Sequence, residues 1–310
     1  MKRGERLGYV DFSQLNAAVS SEEMLNATID YLCGCLKQFL RPHDRLLICF
    51  PDNGTMSLGN MLARAASRAG ASTVFWGRDR RWKALLRIAF TTRATAIAAP
   101  PLIVLGLAKL AKATATPLYF RNVLTAGYPC LDWMIDGIAR ILDCATWGCF
   151  GPGTGAVVGG FSCGCSRGVH IRTEDFAVEI VDAQGTSLPD GQVGTPVISP
   201  RHQPQLRYHS GLKGRLDFSP CECGQNSPRL MDISAGTNSN AELSRLGRQM
   251  LYWTSVLDCD LRVGDYGLEI ELVVFPGEKL PKLPTCAKQS IRPWDPERDT
   301  PLVMASVWNK

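Results

Sequence analysis

The feature that most constrains this 310-residue chain is a set of thiol and imidazole side chains in two pairs, about fifty residues apart. Cys163 and His170 are separated by six residues, and Cys221 and Cys223 by one. Three thiolates and one imidazole are the ligands of a closed tetrahedral zinc site, with no position left for water. The sequence therefore predicts a structural zinc ion, and the fold must bring two distant segments together around it.

The neighbouring Cys165 is a competing ligand, because Cys163-Gly-Cys165 has the same spacing as Cys221-Glu-Cys223. The alternative to any metal site is that some of these cysteines are packed as small buried hydrophobic residues. We expect Cys163 to be the ligand, but the residues alone leave Cys165 open.

Composition places the chain among globular proteins, since 45% of its residues are hydrophobic and 20% are charged. The most apolar run, residues 94–108, is interrupted by Pro100 and Pro101 and is shorter than the roughly twenty residues of a membrane span. No secretory signal follows Met1, so the twelve cysteines are expected to be reduced thiols with a subset on metal. We expect a cytoplasmic protein that binds neither a membrane nor nucleic acid.

The first half of the chain alternates helical and strand patterns. Ile29, Leu32 and Leu36 recur near helical spacing, whereas residues 45–50 are a short apolar run of buried-strand type. The predicted helices are residues 15–40, 56–69, 81–90, 102–113 and 133–142, and the predicted strands are residues 45–50, 70–76, 94–99 and 118–125. Strands spaced by helices of this length predict an α/β fold with a mostly parallel sheet covered on both faces.

The pattern changes after Asp143, and three units are expected. Residues 1–145 form the α/β part, and residues 146–234 form an antiparallel β region that carries the cysteine and histidine pairs. Residues 235–240 are a predicted linker, rich in glycine, serine and asparagine. Residues 241–310 are predicted to form a small α+β cap of one helix and two strands, with the proline-rich part after Pro276 wrapping the surface.

The glycine-rich segment Gly151-Pro-Gly-Thr-Gly155 could be mistaken for a dinucleotide-binding motif. Such a motif lies between a strand and a helix, but here the continuation through Val157 contains glycines and β-forming residues. The basic cluster between Arg78 and Lys83 is similarly expected to be the solvated start of a helix. No Ser/His/Asp set or carboxylate pair identifies catalytic residues, so the catalytic residues stay unassigned.

Several blocks over residues 9–275 nevertheless occur in a recognisable order, and the chain resembles the phenylacetate–CoA ligase family of adenylate-forming acyl-CoA synthetases. Short motifs of that family are similar to five stretches of this sequence: Arg41-Pro-His-Asp-Arg-Leu-Leu47, Ala126-Gly127-Tyr128-Pro129, the run from Gly168 to Gly194, Leu206-Arg207-Tyr208, and Pro220-Cys-Glu-Cys-Gly224 with Pro228-Arg229.

The resemblance implies an N-terminally truncated adenylate-forming large domain plus a small C-terminal cap. It implies an AMP-dependent acid–CoA ligase that takes a carboxylic acid or acyl ligand, MgATP and coenzyme A. In some members the residues that match Cys163, His170, Cys221 and Cys223 hold zinc. The nucleotide-binding residues that it implies are Ala126, Gly127, Tyr128, Pro129, Phe150, Gly151, Thr154 and Arg207.

This chain departs from the family pattern where charge is needed. Thr154 stands at the position of the Mg²⁺-binding glutamate, and Leu212 at that of the ribose-binding aspartate. No phosphate loop precedes Tyr9, and no catalytic lysine segment follows the β region. We therefore expect little or no acyl adenylation. The alternative functions are a non-catalytic zinc-bearing module that binds a protein partner, forms a homodimer or holds an acyl ligand, or the C-terminal part of a split ligase.

Overall fold

The computed structural model describes residues 22–302 except 51, 53, 78, 127–130, 152–157, 166, 211, 236–237, 281 and 287. The helices are α1 (Glu22–Leu36), α2 (Leu58–Arg68), α3 (Trp82–Thr91), α4 (Pro101–Ala113), α5 (Asp132–Leu142) and α6 (Asn238–Tyr252). The strands are β1 (Arg45–Ile48), β2 (Ser72–Phe75), β3 (Ala96–Ala99), β4 (Asn122–Thr125), β5 (Ala145–Phe150), β6 (Gly160–Phe161), β7 (Val169–Ile171), β8 (Phe176–Val181), β9 (Thr195–Pro200), β10 (Tyr208–His209), β11 (Leu212–Asp217), β12 (Arg229–Ala235), β13 (Val256–Gly264), β14 (Gly267–Val274) and β15 (Lys288–Pro293).

The main sheet has nine strands in the order β11-β12-β7-β6-β5-β4-β3-β1-β2. Strands β2, β1, β3, β4 and β5 are parallel and alternate with helices along the chain. Side chains of β1 point alternately to the two faces, so Leu46 and Ile48 enter one hydrophobic cluster and Leu47 the other. Helices α1 and α2 cover the first face, and α3, α4 and α5 cover the second. The predicted α/β fold is confirmed.

The change to antiparallel pairing takes place across β5. This strand pairs parallel with β4 on one side and antiparallel with β6 on the other. The antiparallel region had been expected to begin at residue 146, but residues 145–150 form the last parallel strand. A run of β-forming residues does not show the direction in which it will pair, which is why the sequence misplaced the change. Beyond β6, the strands β7, β12 and β11 extend the same sheet, and β8, β9 and β10 form a separate antiparallel sheet.

The C-terminal unit contains α6 and a three-stranded sheet in the order β13-β14-β15. Its helix begins at Asn238, inside the segment predicted as a linker. The sequence predicts two strands in this unit, but the structure has a third after Pro276, because Lys288–Pro293 pairs parallel with β14. Most side chains of β15 are exposed or half-buried, so this edge strand lacks the apolar alternation by which strands are recognised.

The end of the C-terminal unit returns to the start of α3. The backbone N–H of Trp82 donates to the carbonyl of Asp299 at 2.9 Å. Arg81, at the N-cap position of this helix, provides no side-chain cap, and instead its guanidinium lies 3.2 Å from the carboxylate of Glu297. Lys83 also pairs with Glu297. The carbonyl of Asp299 thus accepts a hydrogen bond from one of the N–H groups that have no partner within the helix at its start.

Within the described part of the chain, every helix is too short or too polar to cross a bilayer.

Candidate metal centre

The four predicted metal ligands come from three separate segments at the antiparallel side of the main sheet. Cys163 lies in the turn after β6, and His170 is the middle residue of β7. Cys221 and Cys223 lie in the connection between β11 and β12. One ligand atom from each residue lies within 4.8 Å of all the others. The structure therefore brings all four residues together.

The distances within this cluster fit tetrahedral coordination of a small cation. The Sγ atoms of Cys163 and Cys221 are 3.6 Å apart, and Sγ of Cys223 is 3.3 Å from Nε2 of His170. With metal–sulfur and metal–nitrogen bonds near 2.0–2.3 Å, the ligand atoms of a tetrahedron lie about 3.3–3.8 Å apart. Three of the four residues are buried, and Cys223 is half-buried. The cluster is thus mostly buried, with Cys223 at its more exposed side.

A backbone carbonyl orients the histidine. Nδ1 of His170 lies 3.0 Å from the carbonyl oxygen of Ser227. A carbonyl can only accept, so this contact requires the proton on Nδ1 and leaves Nε2 with the free lone pair. Nε2 is the atom that faces Cys223. This is the arrangement by which proteins fix the tautomer of a metal-binding histidine.

Two glycines allow the backbone to place these ligands. Gly168 has φ +86°, and a Cβ there would lie 2.7 Å from the carbonyl oxygen of Leu230, so only glycine lets β7 approach β12 at this point. Gly224, with φ +79°, ends the turn that carries the two later cysteines, and its N–H donates to the carbonyl of Cys221 at 2.9 Å. The turn that contains Cys221 and Cys223 therefore depends on a residue with positive φ directly after Cys223.

A partly buried ion pair supports the same connection. The guanidinium of Arg229, the first residue of β12, lies 2.7 Å from the carboxylate of Asp217 at the end of β11, and 2.9 Å from Oγ of Ser219. Hydrogen bonds from the hydroxyl and the amide of Ser219, together with Arg229, hold the pKa of Asp217 below its ordinary value. In the sequence, Arg229 is only the last residue of a family-like motif, and the fold shows that its side chain spans the base of the loop.

Without a metal ion, the thiol of Cys223 is protonated at neutral pH. Burial, followed by hydrogen bonds with the other thiols, raises the pKa of Cys223 to about 11. A thiol with such a pKa keeps its proton at neutral pH, and proximity to a metal ion is what converts it to the thiolate. Cys165 is exposed and lies outside the group of four. The donor set that the structure assembles therefore contains Cys163 and leaves Cys165 at its margin.

The residues implied in nucleotide binding lie elsewhere on the sheet. Ala126 follows β4, and Phe150 and Gly151 follow each other at the end of β5, so all three are at the carboxyl edge of adjacent parallel strands. Ala126 and Phe150 are both buried. Gly127, Tyr128, Pro129 and Thr154 lie outside the described residues. In open α/β sheets this edge is where ligands bind.

Arg207 and Leu212 are two further positions at which the resemblance implies nucleotide-binding residues. Arg207 pairs with Glu179 on the separate antiparallel sheet, with 2.8 Å between guanidinium and carboxylate. Leu212, which stands where the resemblance implies a ribose-binding aspartate, is only 3% exposed and belongs to the main hydrophobic cluster. Its side chain is therefore held in the core by packing.

Solved structures with a similar fold include acyl-CoA ligases. A 2-hydroxyisobutyryl-CoA ligase in complex with its acyl-AMP matches with a TM-score of 0.67 and 15% identity, over 83% of this chain and 59% of that one. A benzoate-CoA ligase from Burkholderia xenovorans LB400 matches with a TM-score of 0.58 and 12% identity, over 86% and 62%. An anthranilate-CoA ligase in complex with anthranoyl-AMP gives 0.57 and 12%, over 86% and 59%.

These similarities show the fold. The chain has a partial adenylate-forming fold and spans less than two thirds of the length of these ligases. No protein-family model matches the sequence, and a search of curated proteins gave no match.

Proposed function

We propose that this chain is an AMP-dependent acid–CoA ligase-like protein of the phenylacetate–CoA ligase type, with a structural zinc ion and with little or no acyl-adenylating activity. Support for the ligase-like part comes from the shared fold and from the motifs between Ala126 and Arg229. The neighbouring structures hold acyl adenylates, and one of the ligases is also known in complex with coenzyme A. A carboxylic acid, ATP and coenzyme A are accordingly the ligands to test.

The observation that carries the loss of adenylation is the packing of Leu212. A ribose-binding carboxylate must reach the cleft, whereas the side chain at this position is buried in the core. At the Mg²⁺ position the sequence has Thr154 in place of a glutamate. Each charge-assisted hydrogen bond contributes about 1.5–3 kcal/mol. Without two such contacts, nucleotide affinity falls by more than about a hundredfold, since 1.4 kcal/mol is a factor of ten.

The zinc assignment rests on the chemistry of the donors. Three sulfur atoms and one imidazole nitrogen favour zinc over calcium or magnesium, which take oxygen ligands. Because Cys163, His170, Cys221 and Cys223 fill the four positions, the ion would have no open site for water or substrate. Its contribution would be to folding, through the free energy of metal binding.

The experiment is ATP–pyrophosphate exchange with the zinc-loaded 310-residue protein and a panel of aryl, branched and straight-chain carboxylic acids. We expect exchange at the level of a reaction without enzyme. Exchange well above that level with any acid would overturn the proposed loss of adenylation and leave an ordinary ligase. If exchange appears only when a second protein chain is added, the split-ligase alternative is correct instead. Elemental analysis of the same preparation should give about one zinc per chain.

A further inference from the structure

A cavity lies where α4 and α5 meet the end of α6. It has a volume of about 160 Å³, and its lining includes residues from Leu105 to Lys112 of α4, residues from Trp133 to Ile141 of α5, and Leu251 and Tyr252 at the end of α6. The cavity therefore extends along most of α5, on the face of the sheet that α4 and α5 cover. Its lining contains none of the four proposed metal ligands and none of the described residues implied in nucleotide binding.

The walls of this cavity are apolar and its polar groups are cationic. Leu105, Trp133 and Leu251 contribute apolar surface. The charged residues among its lining are Lys109, Lys112 and Arg140. A shallow depression next to it shares Tyr252 and is lined by Arg245 and Arg248. Among the described residues that line the cavity and the depression, none carries a carboxylate.

The guanidinium groups converge on one aromatic ring. The guanidinium carbon of Arg140 lies 4.7 Å from the ring centre of Tyr252, and that of Arg248 lies 5.7 Å from it. Cations near the last turn of a helix stabilise its dipole, and this explains some basic residues where three helices end. It does not explain why several cations face one cavity, because like charges at short distance repel one another.

An interaction with the helix dipole is the weakest explanation for Lys109, because this lysine is buried. Lys109 is 7% exposed, and its ammonium donates to the carbonyl of Val256 at 2.6 Å. An ammonium has three N–H donors. Burial lowers the pKa of Lys109 to about 8, so most molecules carry the charge at neutral pH. The nearby carboxylate of Asp258 accepts from the backbone N–H groups of Cys259 and Leu302, at 2.8 and 2.7 Å.

We propose that this cavity is a binding site for a small organic carboxylate with an aromatic or branched apolar body. The apolar walls fit such a body, and Arg140 and Lys112 at the rim fit the carboxylate, which a guanidinium binds through two parallel hydrogen bonds. A bare inorganic anion would leave the walls without contacts. Because Lys109 and Arg140 belong to the α/β part while Leu251 and Tyr252 belong to the C-terminal unit, the ligand would join the two parts.

The test uses calorimetric titration of the zinc-loaded full chain with benzoate at constant ionic strength. Benzamide is the neutral isostere, and inorganic phosphate is the anion without an apolar body. We expect one saturable benzoate site, no binding of benzamide and weaker binding of phosphate. Arg140→Gln and Lys112→Gln change exposed side chains and should each weaken benzoate binding by about tenfold or more, since a charge-assisted hydrogen bond is lost.

Arg64→Gln, on α2 at the other face of the sheet, is the matched control and should leave the affinity unchanged. Absence of saturable benzoate binding at millimolar concentrations would overturn the proposal. Equal affinity in the wild type and in both rim variants would place benzoate elsewhere and overturn it as well. Phosphate that binds as tightly as benzoate would refute the carboxylate assignment. These outcomes do not depend on whether the chain catalyses ATP–pyrophosphate exchange.

Discussion

The cysteine and histidine cluster and the carboxyl edge of the parallel strands are formed on neighbouring strands of one sheet. His170 lies on β7, which pairs with β6, and β6 pairs with β5, whose last residue is Phe150. In the cluster, backbone pairing brings the ligand atoms together and every ligand is present. At the two positions where the family resemblance implies carboxylates, the sequence has Thr154 and Leu212. The metal ligands that the resemblance implies are thus all present and lie close together, whereas these two nucleotide-binding carboxylates are missing.

The largest effect is expected from removing two ligands of the cluster. Cys221→Ser combined with Cys223→Ser should eliminate bound zinc and lower the free energy of unfolding by about 5 kcal/mol or more, because metal binding contributes directly to folding. For a chain of this size the melting temperature should fall by more than about 10 °C. Elemental analysis and thermal unfolding monitored by circular dichroism measure the two quantities.

Cys165→Ser is the matched control for that double variant, because Cys165 lies outside the group of four. It should keep its zinc and its stability. Zinc loss in Cys165→Ser would show that the ligand is Cys165, and an unchanged double variant would refute the metal site altogether.

A smaller loss is expected from placing a carboxylate at position 212. Leu212→Asp puts an unpaired charge in the hydrophobic core and should cost about 3–5 kcal/mol in urea unfolding. ATP–pyrophosphate exchange should not appear. Lys213→Asp, at the exposed neighbouring position, should be close to wild type. If Leu212→Asp is as stable as the wild type and gains exchange, the chain lacked only one nucleotide-binding group, and the contrast with the cluster disappears.

The next smaller effect is expected from changing Gly168, the glycine that lets β7 approach β12. Gly168→Ala combines a left-handed backbone with a clash against Leu230 and Met231, and should lower the free energy of unfolding by about 2–4 kcal/mol. Gly185→Ala also has a positive φ, of +82°, but open space around its Cβ, so only the backbone strain of about 1–2 kcal/mol should appear. Equal losses in both variants would mean that close approach beside the cluster contributes nothing.

The smallest effect concerns the ion pair below the cysteine loop. Asp217→Asn should cost about 0.5–1 kcal/mol at pH 7 in urea unfolding. The pKa of Asp217 is held below its ordinary value in the folded protein, so its stabilisation is present above about pH 4 and is lost as the pH falls through the folded pKa. The difference between wild type and variant should therefore shrink at acid pH. Asp190→Asn, at an exposed position, should show no such trend, and a pH-independent Asp217→Asn effect would exclude the ion pair as its cause.

Periodicity and ligand spacing predicted much of this molecule because both are local properties. The run at residues 45–50 and the helix around Leu32 are recognised from hydrophobic spacing alone. The structure has the strand at Arg45–Ile48 and the helix at Glu22–Leu36, and residues 15–21 of the predicted helix lie outside the described residues. Strand β15 was not predicted because an edge strand needs no apolar alternation. The parallel pairing of β5 with β4 was not predicted because the direction of pairing depends on partner strands elsewhere in the chain.

The cysteine and histidine cluster and the cationic cavity also differ in how far the sequence predicts them. Cys163, His170, Cys221 and Cys223 were predictable because zinc requires particular side chains at short spacings. The cationic cavity was not, since Lys109 and Tyr252 are distant in sequence and meet only where helices end. In the sequence, Lys109 looks like one polar residue in the apolar run of α4, and only the fold shows that it is buried.

The contact between Trp82 and Asp299 has a consequence for synthesis. Domains generally fold from the N-terminal end as the chain leaves the ribosome, but the first N–H of α3 obtains its partner only from a carbonyl 217 residues later. Until residues 297–299 have been synthesised, this hydrogen bond at the helix start and the ion pairs of Arg81 and Lys83 with Glu297 cannot form. Such long-range closure slows folding, because the entropy of ordering the intervening chain must be lost first. Ribosome-bound chains that end before residue 295 should therefore expose the start of α3 to proteases.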